Sequence, residues 1–395
     1  MKFVKHPILI SLAVMVLFVL AVGCGDTKGE HIAYEKEPFE NGITIEYTLS
    51  EYAKDKGMYV DTAHKLEINP EKSALVIIDL WRDKFFDSLT VKYINPLIEE
   101  FNNLGMKIIY APSAKPQNKN LRTVEEGIYF YDFDLMDKYL IDNNINNLFY
   151  AGADAFYCVL DKPNGIYSFQ SRNNDIRLFL MENGVTSSTK EMKQASIALL
   201  KKNGVGVVSA NKKIPEFDFA KKTTTNLMAK TKKEIRKGNN FIVIFKGKEK
   251  SRELEHFENE LNINRIPHSV VKNNRMFYRG KEISPYDFIK QLRDYNIYNL
   301  YFAGFHLNNE MLWGDFGLTP LYVKIRYNGV KGLPWPYFIT DLSFIAPSES
   351  MDPELEKATI INHYRMAYNI MSTTVLDGIK KAKIAAQPEV VAPKK

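Results

Sequence analysis

Residues 140–152 read LIDNNINNLFYAG, and residues 292–304 read LRDYNIYNLYFAG. Eight of these thirteen positions are identical at an offset of 152 residues. In both segments a polar stretch passes into a short apolar run that closes on Ala-Gly, which indicates the end of a helix followed by a buried strand. The repeat predicts that the chain contains two copies of one α/β unit.

The first copy continues on both sides of this segment as alternating strands and helices. The run from Ser73 to Ile78 is apolar and ends at Asp79, as in a strand that is buried on both faces of a parallel sheet. Asn95-Pro96 predicts a helix start with asparagine as the cap, and Gly105 predicts its end. Further strands are predicted at 106–111, 148–152, 175–181 and 204–209, and further helices near 133–143 and 189–202. The alternation predicts a doubly wound, mostly parallel sheet.

The second copy repeats this succession. Residues 241–245 are an apolar strand pattern, a helix is predicted near 251–262, and another strand lies within 337–346. Asp352-Pro353 starts a final predicted helix, which carries Ile360, Ile361, Tyr364 and Met371. The predicted fold class is therefore α/β, with two tandem doubly wound, mostly parallel-sheet domains.

The domain boundaries follow from these patterns. The predicted order is a signal peptide at 1–23, a tether and irregular extension at 24–69, domain 1 at 70–212, a linker at 213–237, domain 2 at 238–375 and a disordered tail at 376–395.

The N-terminus has the pattern of an exported lipoprotein. Lys2 and Lys5 precede an apolar run at 8–22, which is short for a transmembrane span but suits a signal peptide. The small residues before Cys24 resemble a lipobox, in which the thiol is acylated and becomes the first residue of the mature protein. We expect Cys24 to anchor the protein to the bacterial cell membrane or outer membrane, with an uncleaved N-terminal anchor as the alternative.

The composition excludes several classes of protein. The net charge of +6 is spread without a long basic block, which argues against a nucleic-acid binder. The chain has two cysteines, so an acylated Cys24 leaves Cys158 without a disulfide partner and leaves no multi-cysteine zinc site. No metal motif, phosphate loop or dinucleotide fingerprint is present, so no cofactor is expected and the expected ligand is a small molecule.

Asp79 and Cys158 are the candidate chemical groups. Asp79 ends the first apolar strand, and Cys158 follows the third strand where a helix should start. Ligands of open parallel sheets bind outside the carboxyl ends of the strands, so both residues are predicted at one edge. A helix N-terminus should lower the pKa of the thiol, and its N–H groups could hold an oxyanion. A nearby carboxylate could exchange a proton with the thiol. This geometry suits attack on an amide, ester or vinyl-ether carbon.

These residues carry a resemblance to a known family. Residues 152–159 (GADAFYCV) resemble the nucleophile segment of the isochorismatase-like cysteine hydrolases, and residues 76–81 (VIIDLW) resemble their first strand with its catalytic aspartate. Residues 158–166 (CVLDKPNGI) resemble the CVL-x-RP-x-GI stretch of one exported subgroup. The resemblance covers about residues 70–210 and, more faintly, 238–375.

In that family a cysteine, an aspartate and a lysine act together. The resemblance implies Cys158 as the nucleophile and Asp79 as the acid/base partner. It also implies the backbone N–H groups of Asp154 and Cys158 as the oxyanion hole, beside a cis peptide bond. The chain departs from the family motif at Ala155 and Phe156, where polar residues are usual.

The family lysine has no counterpart in its usual window, which here holds Val124, Glu125 and Glu126. A glutamate in that slot would raise the pKa of the thiol by like charge. The candidates to replace the lysine are Lys84, Lys115 and Lys119.

The second copy departs further from the motif. Glu310 stands at the position of Cys158, and no acidic residue in 241–245 corresponds to Asp79. We expect a non-catalytic second domain, which could complete an intramolecular pseudo-dimer with the first. His306 could line a pocket there.

Two other interpretations stay open. The first is a pseudoenzyme, a binding or scaffold lipoprotein whose pocket is lined by Trp81, Phe156 and Tyr157. The second is a purely structural envelope protein without a pocket at the strand ends.

Overall fold

The computed structural model describes residues 42–82, 84–113, 117–172, 175–209, 231–235, 238–327, 334–364 and 367–385. The predicted signal peptide and residues 24–41 of the tether, with Cys24, lie outside these ranges, as do most of the linker and residues 386–395. Within the described ranges, no helix is both long enough and apolar enough to cross a membrane.

The first half of the chain forms one large sheet. Its strands are β1 (Ile43–Ala53), β2 (Met58–Ile68), β3 (Ser73–Ile78), β4 (Lys107–Ala111), β5 (Ile128–Tyr129), β6 (Asn147–Ala153), β7 (Arg177–Thr186) and β8 (Gly206–Val208). They lie in the order β2-β1-β8-β7-β6-β3-β4-β5. All neighbours from β8 to β5 are parallel. β3 and β6 are buried at every position, as their apolar sequences predict for the centre of a covered parallel sheet.

Helices cover this sheet. They are α1 (Lys84–Leu89), α2 (Asn95–Asn103), α3 (Phe133–Asp142), α4 (Cys158–Asp161), α5 (Ile166–Arg172) and α6 (Lys190–Lys202). α2 begins at Asn95 with Pro96 in its first turn, as predicted, but the predicted capping role of Asn95 is wrong, because the π-helical segment Thr90–Ile94 joins α1 directly to α2. The Asn95 side chain instead binds a distant loop, through Asn120 O at 2.8 Å and Arg122 N at 2.8 Å.

The second half forms a second sheet with its own helices. Its strands are β9 (Asn239–Lys246), β10 (His268–Lys272), β11 (Arg275–Tyr278), β12 (Lys281–Ile283), β13 (Ile297–Gly304), β14 (Trp335–Ser343) and β15 (Tyr368–Ile370). The helices are α7 (Arg252–Ile263), α8 (Pro285–Asp294), α9 (Glu310–Trp313), α10 (Leu318–Tyr327), α11 (Pro353–His363) and α12 (Ser372–Ala385). The strand order is β12-β11-β10-β9-β13-β14-β15.

The two sheets repeat one topology. The central order β8-β7-β6-β3-β4 of the first sheet corresponds to β15-β14-β13-β9-β10 of the second. Gly152 pairs with Ile78, and Gly304 pairs with Phe245, in equivalent registers. Both glycines have positive φ, +118° and +117°. A Cβ atom would lie 1.8 Å from Ile78 O at the first and 2.0 Å from Phe245 O at the second. The glycine that ends each sequence repeat is therefore required by its backbone conformation and by the close approach of the neighbouring strand.

Three further differences from the sequence predictions concern the ends of the domains. The extension predicted as irregular contains the hairpin β1–β2, which joins the sheet edge through Thr48 and Val207. The final predicted helix ends at His363, so Tyr364 and Met371 lie outside it. Residues 376–385, predicted as the start of a disordered tail, belong to α12.

The two halves contact each other through equivalent helices. α6 packs against α11, and α5 packs against α10. At the first contact, Lys202 Nζ lies 2.7 Å from Glu356 Oε2, and both side chains are fully buried. Asn308 Nδ2 donates to the same carboxylate at 2.9 Å. Near the second contact, the rings of Tyr167 and Trp313 meet edge to face with centroids 3.8 Å apart.

Candidate active site

Asp79 lies directly after β3, and its side chain is fully buried. Its carboxylate accepts a hydrogen bond from the backbone N–H of Ser113 and another from the Ser113 hydroxyl at 2.6 Å. Ser113 follows β4, the neighbouring parallel strand, so both residues lie at the carboxyl edge of the sheet. The φ of Asp79 is +30°, which is uncommon for a residue with a Cβ atom, and these hydrogen bonds hold it there.

Lys162 supplies a positive charge to this buried carboxylate. Its Nζ lies 3.0 Å from Asp79 Oδ1 and donates to Ala111 O at 2.7 Å. The Lys162 side chain is 13% exposed, whereas that of Asp79 is 0% exposed. A buried carboxylate without such a partner would carry a large desolvation cost.

Cys158 is the first residue of α4, and its thiol is in hydrogen-bond contact with the Asp79 carboxylate. Burial raises the pKa of the thiol to about 12, and the negative charge of Asp79 acts in the same direction. The backbone N–H of Asp154 donates toward the sulfur and opposes this rise in pKa. The predicted lowering of the thiol pKa is therefore wrong, because a helix of four residues is outweighed by burial and by an adjacent carboxylate.

Asp154 fixes the loop between β6 and α4. The peptide bond between Ala153 and Asp154 is cis, as the resemblance implies for this position. The Asp154 carboxylate accepts hydrogen bonds from Phe156 N at 2.8 Å, from Ser187 Oγ at 2.8 Å, and from the backbone and hydroxyl of Ser188, both at 2.9 Å. Burial raises the pKa of Asp154, and these hydrogen bonds oppose the rise. The loop that presents the Asp154 N–H is thus tied to the carboxyl end of β7.

Lys162 was not among the lysines proposed from the sequence. Lys119 is exposed, and Lys115 and the Lys84 side chain lie outside the described residues. The signal that could have found Lys162 is its spacing from Cys158. Positions i and i+4 of a helical turn lie on one face, so a lysine four residues after the cysteine can reach the carboxylate that the thiol contacts.

The glutamates in the usual lysine window do not act on the thiol. Glu125 and Glu126 are exposed, and Glu126 Oε2 lies 3.7 Å from Lys107 Nζ. The negative charges that raise the pKa of Cys158 come from Asp79 and Asp161.

The three aromatic residues predicted to line a pocket have different surroundings. Phe156 is 2% exposed and Tyr157 is 3% exposed, and both belong to the main hydrophobic core. Trp81 is half-buried two residues after Asp79, with its ring edge to face against Phe86 at 5.8 Å between centroids. Trp81 is the most exposed of the three side chains.

The second copy lacks the three groups of the first. By register and offset, Lys246 stands at the position of Asp79, Glu310 at that of Cys158 and Gly314 at that of Lys162. Lys246 forms an ion pair with Glu258, and His306 Nε2 lies 3.3 Å from Glu249 Oε1. These residues cannot repeat the chemistry of a thiol paired with a carboxylate.

Fold and site together define a class of protein. It is an α/β protein with two tandem copies of one doubly wound, mostly parallel unit. The first copy holds a cysteine, an aspartate and a lysine in contact at the carboxyl edge of its sheet. Among the described residues, no group of three or more His, Cys, Asp or Glu side chains is arranged to hold a metal ion.

The chain is similar to known proteins at the level of solved structures. No protein-family model matches the chain. No curated protein matches it. Similar solved structures include the pyrazinamidase of Pyrococcus horikoshii in complex with zinc, at 15% identity over 35% of this chain and 99% of that chain, with a TM-score of 0.29. The nicotinamidase of Staphylococcus aureus is 18% identical over 35% of this chain and 99% of that chain, with a TM-score of 0.30.

A third similar structure is an isochorismatase-like hydrolase of Alkaliphilus metalliredigens, at 14% identity over 35% of this chain and 94% of that chain, with a TM-score of 0.30. The three structures are thus a pyrazinamidase, a nicotinamidase and an isochorismatase-like hydrolase. Such low identities concern the fold alone, and at these TM-scores the fold assignment rests on the strand order and registers described above.

Proposed function

We propose that the chain is an isochorismatase-like cysteine hydrolase that cleaves a small amide, ester or vinyl-ether compound. The observation that supports this most directly is the shared carboxylate. Asp79 is contacted by the Cys158 thiol and by the Lys162 ammonium, at the edge of the sheet where ligands of such folds bind.

The first step of the proposed reaction on an acyl substrate is a coupled proton transfer and attack. The raised pKa keeps the Cys158 thiol protonated at neutral pH. The thiol proton passes to the Asp79 carboxylate as Sγ bonds to the carbonyl carbon, and the carbonyl oxygen takes the negative charge. The backbone N–H groups of Asp154 and Cys158 stabilise that oxyanion.

The second step expels the leaving group. Protonated Asp79 returns its proton to the leaving nitrogen or oxygen while the carbon–heteroatom bond breaks, which leaves a thioester on Cys158. A water molecule then attacks the thioester and gives a proton to Asp79. The departing sulfur regains that proton, so the enzyme returns to its starting state. Lys162 balances the charge of Asp79 and positions it throughout.

Trapping of the acyl-enzyme tests this proposal. Nicotinamide and pyrazinamide, the amides after which two of the matched structures are named, and simple aryl esters would be incubated with the protein. Mass spectrometry after an acid quench should show an acyl adduct on Cys158, and Cys158→Ala should show none. Turnover that persists in Cys158→Ala would refute the proposal.

A non-catalytic binding or scaffold lipoprotein is the second candidate, and the raised thiol pKa is the observation that favours it. Slow alkylation of the thiol does not separate the two candidates, because the coupled step above also starts from a protonated thiol. The acyl-enzyme separates them, since a pseudoenzyme forms none.

We further propose that the second half serves as the wall that a partner subunit would otherwise supply, because α10 and α11 pack against α5 and α6 of the first half. Export and lipid anchoring at Cys24 complete the proposal, on the basis of the sequence pattern. Metabolic labelling with a radioactive fatty acid should label the wild-type protein. The proposed anchor is refuted if Cys24→Ala keeps the label.

A further inference from the structure

A cavity lies between the two halves, beside the Glu310 that replaces the cysteine in the second copy. Its volume is about 530 Å³, which is within the range of small-molecule sites. The first half supplies one wall, from α5 and from Asn203, which follows α6. The second half supplies the other wall, from α9 and the start of α10. Tyr167 and Trp313 supply aromatic surface to it.

The amide donors in the cavity wall are already engaged. The side-chain NH₂ of Asn203 donates to Leu199 O at 2.7 Å, and that of Asn274 donates to Asp315 Oδ2 at 2.8 Å. The side-chain NH₂ of Asn309 donates to the Tyr59 hydroxyl. A ligand that needs donors from these amides would have to break existing hydrogen bonds.

Two acceptors, in contrast, are available. Gln170 Nε2 donates to Asn203 O, which leaves the buried Gln170 Oε1 without a hydrogen-bond partner among the described residues. Glu310 is half-buried, and within the described part of the chain its carboxylate accepts no hydrogen bond. No lysine, arginine or histidine is among the described residues that line the cavity.

The charge around Glu310 is only partly compensated. Burial raises the pKa of Glu310, His306 lowers it and Glu249 raises it. His306 itself contacts Glu249. A positively charged ligand beside Glu310 would therefore relieve an uncompensated carboxylate and satisfy an orphaned acceptor at once.

We propose that this cavity binds a small organic cation with N–H donors, such as an amidinium, guanidinium or primary ammonium compound. The cationic group contacts Glu310 and Gln170 Oε1, and the body of the ligand packs against Trp313, whose indole favours a nearby cation. This site is separate from the cluster at Cys158 and does not depend on the proposed hydrolase activity.

Three probes of one shape test the charge preference. Benzamidine is a cation, benzamide is neutral and benzoate is an anion. Calorimetric titration of the full chain should show saturable binding of benzamidine at one site, with no displacement by the other two. The proposal is overturned by the absence of saturable benzamidine binding, or by benzamide or benzoate that displaces it equally well.

Two variants locate the site. Glu310→Gln keeps the size of the side chain and removes its charge, and it should weaken benzamidine binding by about tenfold or more. Glu282→Gln, on an exposed hairpin of the same half, is the matched control and should bind as the wild type does. Equal affinity of Glu310→Gln and wild type would contradict the proposal.

A structure of the wild-type chain with benzamidine keeps the test independent of whether Glu310→Gln folds. The amidinium is expected within hydrogen-bond distance of the Glu310 carboxylate. Benzamidine bound at any other place would overturn the assignment.

Discussion

Lys162 and Cys158, one helical turn apart, both contact the buried carboxylate of Asp79. The ammonium nitrogen lies 3.0 Å from Asp79 Oδ1 and is held in place by Ala111 O. The Asp79 carboxylate is thus paired with the Lys162 ammonium and also contacts the Cys158 thiol. This arrangement draws on the ends of β3 and β4 and on the turn of α4, which the parallel sheet brings to one edge.

Replacement of Lys162 should affect both stability and activity. Lys162→Met leaves the Asp79 charge buried without its partner, so we expect a loss of about 3 kcal/mol in the free energy of unfolding. If the hydrolase proposal holds, turnover should fall about a hundredfold or more, because the acid/base group loses its charge partner and its position. Urea unfolding and a turnover assay measure the two effects. Lys119→Met, at an exposed lysine, is the control, and equal behaviour of the two variants would contradict the assigned role.

The ion pair between the halves should also be sensitive to loss of one partner. Lys202 and Glu356 are fully buried, so Lys202→Met should cost about 3–5 kcal/mol of unfolding free energy by leaving an unpaired carboxylate. Lys138→Met removes an exposed pair with Asp142 and should cost less than about 0.5 kcal/mol. Thermal or urea unfolding provides the comparison.

The double variant Lys202→Met/Glu356→Leu shows how much of the stability lost in Lys202→Met is due to the unpaired Glu356 charge and how much to lost packing. Removal of both charges should restore most of the lost stability, since apolar residues of similar volume replace a buried pair at little cost. A double variant that is less stable than Lys202→Met would show that the pair is favourable in itself.

Gly152 should tolerate no side chain. An added Cβ atom would lie 1.8 Å from the Ile78 carbonyl oxygen, and φ is +118°. Gly152→Ala should therefore destabilise the first domain by more than about 3 kcal/mol or prevent its folding. Gly57→Ala is the control, because φ there is +65° but no atom lies within 4 Å of the added Cβ, so a cost of about 1 kcal/mol is expected. Similar unfolding midpoints for the two variants would refute the predicted clash between a Cβ atom at position 152 and the Ile78 carbonyl oxygen.

Much of the fold could be predicted from the sequence, because its central strands are apolar after their first residue. Ser73–Ile78 and Asn147–Ala153 are buried throughout, and the internal repeat correctly indicated a second, mostly parallel sheet. The hairpin β1–β2 was missed although residues 43–50 (ITIEYTLS) alternate apolar and polar side chains as a half-exposed strand does, because the surrounding stretch is polar and rich in turn residues.

The candidate site was only partly predictable. The strand-edge rule correctly brought Asp79 and Cys158 together. Lys162 was missed because it lies outside the family's usual lysine window and instead follows the cysteine by one helical turn. The direction of the thiol pKa was also missed, since burial and the contact with Asp79 are tertiary facts that no local pattern reveals.

The contact between the Cys158 thiol and Asp79 is tested most directly by the pH dependence of Cys158 alkylation. In the fragment that begins at Gly25, Cys158 is the sole thiol. Because burial and the Asp79 charge raise its pKa to about 12, alkylation by iodoacetamide should rise about tenfold per pH unit from pH 7 to 10 without a plateau. Asp79→Asn removes the opposing charge and should shift the curve to lower pH. Superimposable curves for Asp79→Asn and the wild type, or a wild-type plateau below pH 9, would contradict the account.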